Sequence, residues 1–84
     1  MMHMPLFSNP KIREILESVL EEYAEEAIAG VPFTELKCWD SMRYVLLVVS
    51  VQSTFEVELD ESQIVKITTL IGMCEVLKEH GVSP

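Results

Sequence analysis

Between Tyr44 and Leu59 the chain carries two periodicities at once, and the choice between them decides the fold class. Val45, Leu47, Val49, Val51, Phe55, Val57 and Leu59 alternate along a stretch rich in β-branched residues, the pattern of a strand. Tyr44, Leu47, Val48, Val51 and Phe55 recur at i, i+3, i+4, i+7 and i+11, the pattern of a helix. Local propensity favours the strand. Yet no other segment reads as a partner strand, and a lone strand leaves its backbone donors and acceptors unpaired. A helix satisfies them internally, so tertiary need overrides propensity. The sequence predicts a helix from about Ser41 to Thr54.

Helical signals bracket this stretch on both sides. Ser8-Asn9-Pro10 is a helix start: Ser8 or Asn9 caps free amides, and Pro10 suits the first turn, where its missing N–H needs no partner. Ile12, Ile15, Leu16, Val19, Tyr23 and Ala27 then follow on one stripe, with Glu14, Glu17, Glu21, Glu22, Glu25 and Glu26 mostly off it as a solvated face. Gly30 and Pro32 stop that helix, and Gly30 to Asp40 reads as a long loop pinned by Val31, Phe33 and Leu36. Asp60-Glu61-Ser62-Gln63 is a capping box before a short helical turn. Thr68 or Thr69 caps a last helix that turns Leu70, Met73, Cys74 and Leu77 inward and stops at Gly81, with Lys78 and His80 in its last turn. The expected fold is all-α: three longer helices, a short third one, and a long loop between the first two.

The 84 residues allow one domain, expected over 1–84 with 1–7 as a loose N-terminal segment. A net charge of -8 without Lys/Arg clusters excludes nucleic-acid binding. The longest apolar run, Tyr44–Val49, is too short to span a bilayer, and the first residues lack the pattern of a signal peptide. Cys38 and Cys74 form neither a zinc motif nor a disulfide framework, so they read as reduced packing thiols of a cytoplasmic protein. Neither His3 nor His80 has a catalytic constellation around it, which argues against an enzyme.

Four groups of residues, in order, carry a resemblance: Asp40-Ser41-Met42; Val45-x-Leu47-Val48; Phe55-x-Val57-x-Leu59; and Ile64-x-Lys66-Ile67-Thr68-Thr69-Leu70. Together with the capped first helix they resemble the acyl carrier protein family over nearly the whole chain, and the fold this implies is that family's four-helix bundle. The resemblance implies that Ser41 accepts 4′-phosphopantetheine from coenzyme A through a separate phosphopantetheinyl transferase. It implies that Asp40 helps that transferase bind magnesium, and that Met42 is the apolar neighbour of the attachment residue. Acyl groups would travel as thioesters on the arm's thiol between acyl-loading and acyl-processing enzymes, the carrier itself being a monomer that catalyses nothing.

The sequence departs from the family along the second helix. Gln52, Ser53 and Thr54 stand where relatives often have acids, and Arg43 where they often have Gly or an acid. Arg43, Leu46, Val49 and Val45 then form an apolar, slightly basic face beside Met42 for docking partners, or the helix rolls and buries part of it. Both readings stand open. The departure points from housekeeping fatty-acid synthesis towards a specialised acyl pathway. Asp40-Ser41-Met42 and Gln52-Ser53 are also similar to D-alanyl carrier proteins. Peptidyl carriers, and an unmodified helical interaction module of the same fold, are further alternatives.

Overall fold

A computed structural model of the chain describes residues 7–84. Its helices are α1 (Pro10–Leu20), α2 (Ala24–Ile28), α3 (Ser41–Phe55), α4 (Glu61–Ile64) and α5 (Leu70–Glu79), with 3-10 turns at Glu21–Tyr23 and Phe33–Glu35. No strand occurs among the described residues. The stretch of double periodicity is the helix α3. It ends where Glu56 turns left-handed (φ 54°) and returns its N–H to the Gln52 carbonyl. Gln52 Oε1 also accepts from the Leu59 amide at 3.0 Å, so the alternating residues after α3 leave as a pinned, unpaired exit.

The starts and stops follow local chemistry. Asn9 Oδ1 accepts from Lys11 N at 3.0 Å and opens α1. Asp60 and Gln63 form a reciprocal capping box at α4. Of the two threonines, Thr69 caps α5, its Oγ1 accepting from Gly72 N at 2.9 Å. Gly81 (φ 77°) and Val82 return their amides to the carbonyls of Lys78 and Leu77, which closes α5 in the glycine-stopped pattern.

One expected helix is interrupted. The stripe from Ile12 to Ala27 faces inward as predicted, but the backbone breaks at Glu21, which adopts φ 52° and ψ -123°. A side chain from elsewhere in the chain meets the break. The Arg43 guanidinium donates to the Val19 carbonyl, the acceptor that the Tyr23 amide would use in a continuous helix, and it lies 3.3 Å from the Glu21 carboxylate. An arginine thus replaces a backbone donor at the end of α1.

Arg43 at the start of α3 meets the end of α1, whereas Ser50 and Thr54 share a groove with Lys11 and Glu14 near its beginning. The two helices therefore run antiparallel. α1 supplies Ile12, Ile15, Leu16, Val19 and Leu20 to the core, and α5 supplies Leu70, Met73, Cys74, Val76 and Leu77. From α3 only Leu47 and Val51 are buried; Val48 and Phe55, expected in the core, are half-buried, with Phe55 packed against its edge. Burial pushes the Cys74 thiol up, as suits a packing cysteine.

Two further contacts fix the frame. Gly72 lies so close to the turn that follows α4 that a Cβ there would sit 2.0 Å from the Lys66 carbonyl oxygen. At the other end of the molecule, Ser8 and Asn9 both donate their amides to the Pro84 carbonyl, at 2.8 and 3.0 Å. The expectation of a loose segment over 1–7 falls outside the described residues except at Phe7, which packs against the core.

Candidate functional site

Asp40 and Ser41 stand where the long loop becomes α3. Asp40 is the N-cap: its backbone is extended, and its Oδ1 accepts from Arg43 N at 2.8 Å. Ser41 is the first residue of the helix and is exposed. Its hydroxyl is therefore presented to solvent at the positive end of a 15-residue helix, where a negative group gains about 0.3–1 kcal/mol.

Trp39 and Tyr44, which flank this serine in the chain, belong to an aromatic row that sequence reasoning passed over. Phe33, fully buried, lies 5.9 Å from Trp39 between ring centres, and Trp39 lies 5.7 Å from Tyr44. The Tyr44 hydroxyl then donates to the Ile64 carbonyl at 2.8 Å, and the Phe33 amide to the Thr68 carbonyl at 2.9 Å. The loop and the start of α3 are thus tied to the chain on either side of Val65–Ile67. Trp39 directly precedes Asp40, an adjacency visible in the sequence; its two ring partners were not.

The other sequence-derived positions divide. Met42, Val45, Leu46 and Val49 lie on the outside of α3, 66%, 56%, 46% and 53% exposed, which resolves the open question of a rolled helix in favour of exposure. Arg43 differs. Its guanidinium, half-buried, is spent on the Val19 carbonyl and Glu21, so it braces α1 against α3 instead of standing free on a docking face. A groove of about 250 Å³ between α1 and α3, lined by Lys11, Glu14, Ile15, Ser18, Ser50 and Thr54, opens near the far end of α3. Ser50 and Thr54 are about 14–20 Å along the helix axis from Ser41, so this groove is no part of the serine's surroundings. Among the described residues, no helix is long and apolar enough to cross a membrane.

Residues 10–77 match the model of the family described as phosphopantetheine attachment site. The chain belongs to this family. The match runs from the first residue of α1 to the last turns of α5 and takes in Asp40 and Ser41. No curated protein and no solved structure shows a significant match to the chain. Members of the phosphopantetheine-attachment family are carriers that hold 4′-phosphopantetheine covalently, and the helical architecture agrees with the carrier bundle. The residues present fit the group. It needs an uncovered hydroxyl with room for a phosphodiester, and an exposed serine at a helix N-terminus meets both demands.

Proposed function

We propose that this chain is an acyl carrier, a single domain over residues 1–84, whose 4′-phosphopantetheine arm is attached at Ser41. The observation that carries this reading is the position of Ser41, an exposed residue directly after the Asp40 cap and inside the family match. A transferase would join Ser41 Oγ to the phosphorus bearing the pantetheine of coenzyme A, with the nucleotide leaving and the hydroxyl proton passing to the transferase. The arm supplies a thiol on which acyl groups travel as thioesters. Tethering raises the effective concentration of that cargo at each enzyme the carrier visits.

The chain's own residues do three things in this scheme. Ser41 offers the oxygen, the amide end of α3 stabilises the phosphodiester charge, and Asp40 stands beside the serine as the magnesium contact of the loading complex. Partners dock on α3 through Met42, Val45, Leu46 and Val49. The departure of that helix from acidic relatives supports a specialised acyl pathway in the cytoplasm, served by a monomer. The exposed apolar face also supports a second reading, an unmodified interaction module of the same fold. Intact mass after incubation with coenzyme A and a broad-specificity phosphopantetheinyl transferase separates the two. A phosphopantetheine mass gain, absent in Ser41→Ala, is expected; no gain with active transferase sinks the carrier reading. Mass spectrometry of thioester-bound cargo on the loaded carrier then distinguishes acyl from D-alanyl or peptidyl use.

A further inference from the structure

Towards the far end of α3 the contact between α1 and α3 is left open. Lys11, Glu14, Ile15 and Ser18 recur at i, i+3, i+4 and i+7 along α1, and Ser50 and Thr54 at i and i+4 along α3. One row from each helix thus lines the groove of about 250 Å³ between them. Side-chain size keeps it open. The core positions of these helices carry Ile12, Leu16, Leu47 and Val51, whereas Ser18, Ser50 and Thr54 along the groove are shorter.

The polar groups around this space are uncommitted. The nearby arginines are taken: Arg13 pairs with Glu17 and Glu25, and Arg43 with Glu21. Lys11 and Glu14, one helical turn apart, enter no ion pair among the described residues, and the hydroxyls of Ser18, Ser50 and Thr54 find no hydrogen-bond partner there. No buried side-chain polar atom lacks a partner among the described residues, so these groups are open to water and to whatever replaces it. Ile15, 4% exposed, supplies an apolar floor.

The chemistry of a ligand follows from those groups. Lys11 suits a carboxylate and Glu14 an ammonium, and side chains three apart on a helix stand about 5–6 Å from each other at their Cβ atoms. A molecule with both charges on one carbon meets both, whereas a lone anion is opposed by Glu14 and a lone cation by Lys11. The hydroxyls on both walls donate or accept as needed. The groove has room for about eight waters at roughly 30 Å³ each, or for a molecule of about six to nine heavy atoms.

We infer that this groove binds a free α-amino acid with a small aliphatic side chain, its carboxylate towards Lys11, its ammonium towards Glu14 and its side chain over Ile15. The site stands apart from the attachment serine, about 14–20 Å away along α3, so binding needs no modification of Ser41. A groove smaller than the roughly 300–1,000 Å³ of most ligand pockets holds its ligand weakly, with Kd on the order of millimolar.

The test is an amide-resolved NMR titration of the full chain with L-valine, to about 50 mM at fixed ionic strength and about pH 7. Saturable shifts confined to residues 11–18 and 50–54 are expected. Isovalerate and isobutylamine, which each keep one of the two charges, should bind at least about fivefold more weakly. Lys11→Met and Glu14→Gln should each raise Kd at least about fivefold with the melting temperature held, because both side chains are exposed. Shifts that rise linearly to about 50 mM, or that spread beyond the groove, overturn the inference. Isovalerate or glycerol binding as tightly as valine makes the groove an anion or polyol site and overturns it as well, as does either variant binding like wild type. Loading of Ser41, measured separately, decides the carrier reading and leaves this one untouched.

Discussion

Removing the guanidinium of Arg43 is expected to loosen the end of α1 far more than an exposed arginine could. Arg43→Ala withdraws two interactions: the bond to the Val19 carbonyl, and the 3.3 Å contact with Glu21. A hydrogen bond from a charged donor contributes about 1.5–3 kcal/mol. The pair with Glu21, whose side chain is 67% exposed, adds under about 1 kcal/mol because solvent screens it. The combined loss is about 2–3 kcal/mol, a large share of the roughly 5–15 kcal/mol available to a domain. At 84 residues that lowers the melting temperature by about 10–20 °C, read by circular dichroism. Glu21→Gln keeps the arginine–carbonyl bond and loses only the screened pair, so it should fall by no more than about 5 °C. An Arg43→Ala melt within about 3 °C of wild type, or a Glu21→Gln loss equal to it, would refute the idea that Arg43 replaces a backbone donor.

Two more outcomes follow from the contacts of α5. Gly72→Ala, which in an ordinary helix interior gains about 1 kcal/mol, should here cost about 1–3 kcal/mol, because its Cβ meets the Lys66 carbonyl at 2.0 Å; a more stable variant in a denaturant melt contradicts that close approach. Glu79 accepts from Gln63 at 2.9 Å and pairs with Lys66 at 3.0 Å, and these contacts hold its carboxyl below the usual range. A depressed carboxylate adds stability above its unfolded pKa and loses it as pH falls through the lower folded value. The melting temperature of wild type should therefore exceed that of Glu79→Gln at about pH 7 and converge with it towards about pH 3, and a gap that stays constant removes the clasp from the account.

What could be read in the sequence was what local chemistry decides. The caps at Asn9, Asp60 and Thr69 and the stop at Gly81 are each made by residues within a few positions of one another, so their side chains announce them. Asp40 caps α3 just as locally, though the sequence was read only as far as a helix start at about Ser41. The break at Glu21 does not. Nothing near it is Gly, Pro or Asn, and the donor that permits φ 52° arrives from 22 positions away. Arg43 itself was placed on a docking face because its position along α3 shows which way it leaves the helix, not what it will reach. The half-burial of Phe55 has the same origin: periodicity puts it on the inner side of α3, but the core ends before the last turn of that helix. The aromatic row was hidden because it joins Phe33 and Trp39 of the loop to Tyr44 of α3 by tertiary contact.

The clasp of Ser8 and Asn9 on Pro84 has a consequence for how this molecule can be attached to anything else. Because α1 and α3 run antiparallel, the described chain begins and closes near the end of α3 that lies farthest from Ser41. A linker, an affinity tag or a solid support joined at Pro84 would hold the protein by one pole and leave the serine at the other. Fused between two further domains, the described chain would enter and leave through a single doorway, like a bead on a loop of thread, with Ser41 on the opposite side.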